Sequence, residues 1–396
     1  MIKKYGLIIF IISLIIFFLG FHFYFNNVTI KDHVLDKEYP THYNGKQFAG
    51  SQSCFTCHQD IYEAHIETPH FKSSKLASKK DLEGIIKSHN NSFQLAGGKI
   101  KLEMEDDGYY QLTINEFGEI TDRTKIDIII GSNTKGQSYL NFEGDSLYQM
   151  QASYFNTEKV VTNSPGYPNY PFKREVKDNC IKCHVTFAKN KDLKGNSNVY
   201  NKESFMYGID CESCHGPSKE HVDYRLGTTQ QFTTDPIVKI KDLDRQSKID
   251  VCAQCHAGLR SNQIKGNPFS YVVGDTLENY TKNYYSGKPE SELDVHGNQY
   301  GLLKSSACYN KSPSMSCTTC HDPHKNQRGN SGYFNSKCIG CHAEPKKLHP
   351  MLGGEKFNDC ISCHMPVSKS KNMKINVKSV DKSVEVRTHL IGVYQK

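Results

Sequence analysis

Cys317-Thr318-Thr319-Cys320-His321-Asp322-Pro323-His324 opens the last part of the chain, and Cys338-Ile339-Gly340-Cys341-His342 and Cys360-Ile361-Ser362-Cys363-His364 follow it. The same Cys-x-x-Cys-His unit stands at Cys54/Cys57/His58, Cys180/Cys183/His184, Cys211/Cys214/His215 and Cys252/Cys255/His256, so the chain holds seven. Two thiols three positions apart can each form a thioether to one vinyl group of a haem. The histidine that follows then lies under the iron as its proximal ligand. Fourteen of the fifteen cysteines are used this way, which leaves Cys308. Zinc ribbons also use paired cysteines, but a zinc site needs no histidine directly after every pair. With histidine at roughly one residue in twenty, seven of seven by chance is on the order of one in a billion. The motifs therefore predict seven covalently attached haem c groups.

Working outward, the 396 residues carry only 37% apolar side chains and no tryptophan. That is little for one large side-chain core. Haem macrocycles change this balance, because each is an apolar plate against which short segments pack. The expected fold is a multihaem cytochrome c: short α-helices and loops wrapped around a haem stack, with a small antiparallel β insertion and one N-terminal transmembrane helix. The formal charge of +7 is no nucleic-acid signal. Each ferric haem with two ionised propionates adds about −1 and each ferrous one about −2, so the loaded protein runs from near neutral to about −7.

Residues 1–27 read as a signal anchor. Lys3 and Lys4 precede an apolar run from Tyr5 to Phe25, long enough to cross a hydrocarbon core of roughly 30 Å. No small-x-small site follows, so the expected form is uncleaved, with a cleaved signal as the alternative. The lysines keep the start cytoplasmic, which predicts a single-pass protein of the bacterial inner membrane with its bulk in the periplasm, where c-type haem is attached.

Residues 28–50 read as a polar tether, with His33 and His42 facing solvent. Residues 51–80 form the first haem segment. Residues 81–165 lack any haem motif and read as β-rich. Ile100, Leu102 and Met104 alternate with charges, Glu105-Asp106-Asp107-Gly108 is a turn, and Tyr110, Leu112 and Ile114 alternate on the return. This insertion covers the first haems or, alternatively, docks a partner. Residues 166–396 hold the other six motifs, with a polar loop, Ala188–Ser204, between the second and third. Short links between motifs force neighbouring haems together, and close haems pass electrons.

A haem whose sixth position is filled by histidine or methionine carries electrons, whereas an open one can transform a substrate. Ten histidines lie outside the motifs and the anchor, at 33, 42, 65, 70, 89, 221, 296, 324, 349 and 389. The candidate distal ligands are His70, His221, His324, His349, His389, His296 and His65; His89 ranks below them. His324 lies too close to His321 to serve the same iron, so it is expected on a neighbouring haem. Cys308 is either a buried inert thiol, a thiol near an iron or a redox-active free cysteine.

Cys54–His70, Tyr207–Val222, Cys252–Arg260, Tyr300–Tyr309, Met315–Asn326 and Cys360–Pro366 together resemble the cytochrome c-552/c-554 type of multihaem cytochromes. That group is related to tetrahaem cytochrome c-554 and, more distantly, to octahaem hydroxylamine oxidoreductases and pentahaem nitrite reductases. The resemblance covers most of residues 50–390. It implies distal roles for His70 in Thr68-Pro69-His70, for His221 after Cys214-His215-Gly216-Pro217, and for His324. Two departures stand out. Cys308 occupies a position where relatives tend to place Met or His, and no Cys-x-x-Cys-Lys motif marks a nitrite-reductase haem.

The expected function is electron transfer in a respiratory chain by a membrane-anchored periplasmic heptahaem cytochrome. Its partners would be a quinol-linked membrane donor and a periplasmic acceptor, with no nucleic acid. The alternative is a multihaem oxidoreductase acting on a small nitrogen or sulfur species at a haem with an open sixth position.

Overall fold

The computed structural model describes residues 12–20, 39–344, 349, 359–377 and 380–394. The alternation read between positions 100 and 114 is realised in an antiparallel four-stranded sheet. Its strands are β2 (Ser92–Leu95), β3 (Gly98–Glu105), β4 (Gly108–Asn115) and β5 (Ile120–Lys125), ordered β2-β3-β4-β5. Ile100, Leu102, Tyr110, Leu112 and Ile114 are buried, and Glu105 pairs with Gly108 across the turn.

A second antiparallel sheet runs β1-β6-β7-β8-β10, with β9 also pairing β8. It uses β1 (Ser74–Leu76), β6 (Ile128–Ile130), β7 (Gly136–Glu143), β8 (Ser146–Phe155), β9 (Val160–Asn163) and β10 (Arg174–Glu175). The β region therefore begins before residue 81 and closes after 165, because its edge strands come from the haem-bearing flanks. Successive side chains of a strand point to opposite faces, and here both faces are covered. Ile129, Tyr139, Met150 and Ala152 join Ile100 and Leu102 in one core, capped by helix Lys79–Ile86. Ile128, Leu140 and Leu147 join Phe48, Val185, Phe187 and Tyr200 in another.

Three sequence expectations change at this second core. The segment read as a loose tether is ordered from residue 39 onward: Thr41 bridges Gln47, and Phe48 and Ala49 are buried. His42 is buried rather than solvent-facing, because its ring lies within 6.0 Å of the Phe48 and Phe187 ring centres. The polar stretch between the second and third motifs is a hairpin of β11 (Val185–Asn190) and β12 (Tyr200–Tyr207). Its inward Phe187, Phe205 and Tyr207 supply the apolar face, while the lysines and asparagines sit at the turn.

Beyond the hairpin, the described α-helices are short, from five to twelve residues. A long C-terminal hairpin, β15 (Val367–Val377) with β16 (Val380–Arg387), was not anticipated from sequence. Asp294 holds its bulge: its carboxylate accepts from Ser370 Oγ at 3.0 Å, Asn372 N at 2.8 Å and His296 N at 3.1 Å. Of the N-terminal apolar run, only 12–20 is described. It is helical, with Ile12, Ile15, Ile16, Phe17, Phe18 and Leu19 exposed. Among the described residues no helix is long and apolar enough to cross a membrane. Most of the expected transmembrane run, and His33, lie outside the described residues.

Candidate haem-binding network

Each motif forms a helical turn. In the first, fifth and sixth motifs the amide of the histidine donates to the carbonyl of the first cysteine, at 2.9 Å for His58 on Cys54, 3.0 Å for His321 on Cys317 and 2.8 Å for His342 on Cys338, whereas His184 N donates to Ile181 O at 2.8 Å. That i to i−4 bond puts the first cysteine and the histidine on one face. Polar residues start several of these turns. Asp210 accepts from Cys211 N at 2.7 Å, and Asp244 accepts from Gln246 N and Ser247 N at the start of the helix Arg245–His256.

Cys57, expected to hold the first haem together with Cys54, is exposed, whereas Cys54 is half-buried. The reason is local. The helix Ser51–Phe55 closes at Thr56, so Cys57 falls in the turn before the helix Gln59–Ile66, with its amide donating to Cys54 O at 3.3 Å. The role of Cys57 rests on its spacing from Cys54. Cys180, Cys341 and Cys363 are exposed in the same way.

Most of the motif histidines face a second histidine from a distant part of the chain. Ring centres lie 6.5 Å apart for His58 and His221, 6.2 Å for His215 and His324, and 6.1 Å for His321 and His389. They are 6.1 Å apart for His256 and His70, and 5.7 Å for His364 and His349. His184 has His296 as its electrostatic neighbour. These separations are too long for ring stacking. An iron between two imidazole nitrogens, about 2 Å from each, sets ring centres roughly 6.3 Å apart. The donor set and its spacing therefore fit haem iron, and the ring planes are free to rotate about that axis, as their 13° to 71° inclinations do.

Second partners fix which nitrogen faces inward. The Nδ1 atom of His215 faces Val238 O at 3.0 Å, that of His364 faces Gly392 O at 2.7 Å, and that of His256 faces Gln299 Oε1 at 3.1 Å. A carbonyl accepts only from N–H, so the proton sits on Nδ1 and the Nε2 lone pair is free to bind metal. His221 Nδ1 meets Asp235 Oδ1 at 2.5 Å, and Arg225 in turn donates to Asp235. Burial pushes His70, His184 and His389 down to about 4, so these rings are neutral near pH 7.

Cysteine side chains link the motifs to one another. Thiols of different motifs are electrostatic neighbours at Cys54 and Cys211, Cys183 and Cys255, Cys252 and Cys317, and Cys338 and Cys360. Cys214 lies in the electrostatic range of Cys252 and Cys255, and Cys320 in that of Cys341. The motifs thus run first, third, fourth, fifth, sixth, seventh, with the second attached at the fourth. His296, the neighbour of His184, also lies close enough to His256 to interact with it, as that branch requires.

The sequence candidates separate accordingly. His70, His221, His324, His349, His389 and His296 are each brought to a motif histidine. His65 is placed differently: its Nε2 faces Ile209 O at 3.2 Å, so that nitrogen is turned to a backbone carbonyl, although its ring centre lies 6.5 Å from His324. Cys308 lies in the electrostatic range of Cys320 and Cys338. Asp235, Gln299 and the carbonyls of Val238 and Gly392 were not foreseen. Backbone carbonyls leave no sequence signal, and Asp235 would have stood out only as a carboxylate beside Arg225.

Comparison with known proteins finds multihaem cytochromes. Residues 142–216 match the family described as Cytochrome c554 and c-prime. The chain is 27% identical over 187 residues to the multiheme cytochrome MtrA of Shewanella baltica, covering 43% of this chain and 53% of that one. It is 27% identical over 207 residues to the dissimilatory sulfite reductase MccA of Wolinella succinogenes, covering 44% of this chain and 24% of that one. The chain thus spans about half the length of the first relative and about a quarter of the second. The crystal structure of the outer cell wall cytochrome OcwA superposes with a TM-score of 0.53 at 16% identity, over 87% of this chain and 79% of that one, a likeness of fold. The repeated Cys-x-x-Cys-His motifs, the histidines facing them and these relatives place the chain in the multihaem cytochrome c family.

Proposed function

We propose that the chain is a heptahaem c-type cytochrome whose role is electron transfer. The observation that carries this reading is the set of facing histidines at ring-centre distances of 5.7 to 6.5 Å. Haem c supplies a one-electron iron couple there. The proximal donors are His58, His184, His215, His256, His321, His342 and His364. The distal donors are His221 opposite His58, His296 opposite His184, His324 opposite His215, His70 opposite His256, His389 opposite His321 and His349 opposite His364. The fourteen motif cysteines would hold the macrocycles, and the nearness of cysteines from different motifs sets neighbouring motifs along one connected path.

The exposed apolar helix at 12–20 supports attachment to the inner membrane, with the motif-bearing part on the periplasmic side. A quinol-linked membrane donor and a periplasmic acceptor are the partners this placement suits. The test is to express the full chain with haem maturation, measure its intact mass and titrate it with a reductant. Seven haems and a stepwise uptake of seven electrons are expected. Fewer than seven haems would overturn the heptahaem reading, and haems that do not reduce would overturn the carrier reading.

A further inference from the structure

We propose that the motif-free β region holds a binding site for a neutral sugar, a pyranose ring or the end of a longer saccharide, in the cleft between its two sheets. The pattern of side chains on the facing surfaces carries it. Residues directly opposite on paired strands share a face. Gln111 stands opposite Leu102 and Thr113 opposite Ile100, so both polar side chains lie on the face that carries the buried core. On β5, Thr124 stands opposite Gln111 and Asp122 opposite Thr113. The second sheet contributes Asn141, which stands opposite Tyr148 across β7 and β8. Met150 belongs to the core and also borders the cleft, so it marks where the two meet. The facing surfaces are thus apolar at one end and polar at the other. The polar end leaves a cavity of about 280 Å³, bordered by Pro171 and Phe172 from the segment before β10.

This end is not a solvated rim, because Gln111 is only 6% and Asn141 only 7% exposed. Buried polar groups cost stability unless they find partners. Gln111 Oε1 accepts from Ala152 N of β8 at 2.8 Å, which ties the sheets together and leaves the side-chain NH2 as a donor. Asn141 donates to Lys125 O at 2.8 Å and to Asp127 Oδ2 at 3.2 Å, while its Oδ1 has no partner. A hydroxyl group donates to such an oxygen and accepts from such an NH2, and a sugar carries several. Asp122 adds an exposed carboxylate that accepts from hydroxyls. Phe172, also exposed, offers an aromatic face for the C–H side of a sugar ring. The charges disfavour an anion, since Lys173, the cation that lines the cleft, is held by Glu143. Pockets for drug-sized ligands run to about 300–1,000 Å³, so this one suits a molecule on the order of one sugar ring.

The full chain, loaded with haem, gives the test by calorimetric titration with the methyl glycosides of glucose, galactose, mannose and N-acetylglucosamine. At least one is expected to bind saturably, one per chain, with a Kd below about 10 mM. Phe172→Ala and Asn141→Leu are each expected to weaken that binding about tenfold or more, with haem content and reduction unchanged. Phe172 is exposed, so its variant serves if the Asn141 variant does not fold. Three results overturn the proposal: no saturable heat with any of the four glycosides, binding that both variants leave unchanged, or tighter binding of inorganic phosphate that the same variants abolish.

Discussion

His215 and His324 face each other with ring centres 6.2 Å apart and planes 13° from parallel, although 109 positions separate them in the chain. His324 also sits beside His321, three residues earlier, which faces His389. One short loop would thus supply ligands to two haems, His321 to that of the fifth motif and His324 to that of the third. Replacing His324 with Ala is expected to convert one low-spin haem to high-spin, while His324→Met keeps it low-spin and raises its potential. An Ala variant with an unchanged spin-state count would remove His324 from the ligand set.

The carboxylate of Asp235 lies 2.5 Å from His221 Nδ1. A carboxylate on the far nitrogen makes an imidazole a stronger donor to iron and favours the ferric state. Asp235→Asn should therefore raise the potential of the first haem while its spin state stays low. A tenfold change in the ferric-to-ferrous ratio corresponds to about 59 mV for one electron, and spectroelectrochemistry resolves a shift of that size. No shift would mean that Asp235 serves only Arg225.

His65 gives the opposite expectation. Its Nε2 is turned to Ile209 O, and its side chain is buried. His65→Phe is predicted to leave the spin state of every haem unchanged and to cost about 1–3 kcal/mol of stability from the unpaired carbonyl. Loss of one low-spin haem in this variant would return His65 to the ligand set and leave His324 as its competitor.

What could be read in advance followed from local rules. The motif spacing is covalent chemistry, and the alternation of Ile100, Leu102, Tyr110, Leu112 and Ile114 is strand geometry, so both were legible. Spacing alone does not say which thiol the fold encloses, and Cys57 lies exposed because a helix ends just before it. The facing histidines were legible only as a pool, because partners such as His70 and His256 lie 186 positions apart and nothing local joins them. The hairpin carrying Phe187 and Phe205 was hidden by the polar residues at its turn. His42 read as solvent-facing because its neighbours in sequence are polar, whereas its neighbours in space are Phe48 and Phe187.

Glu212, inside the third motif, accepts from Ala49 N at 2.9 Å, Gly50 N at 2.8 Å and Ser218 N at 2.7 Å. Burial pushes its carboxyl up to about 7, and the three amides offset only part of that. The unfolded chain ionises this group near pH 4.3, while the folded chain keeps it protonated until about pH 7. A raised carboxyl favours the fold at low pH, and that contribution is lost as pH rises across this window, by up to about 3 kcal/mol. Glu212→Gln should flatten that part of the stability profile in denaturant titrations between pH 4.5 and 7.5, a range set by the same two values. At low pH it should also lower stability by about 1–3 kcal/mol, because an amide nitrogen replaces one accepting oxygen, and the two profiles should converge as pH rises past about 7. An identical slope in the two proteins would show that Glu212 is ionised throughout, with the three amides outweighing its burial.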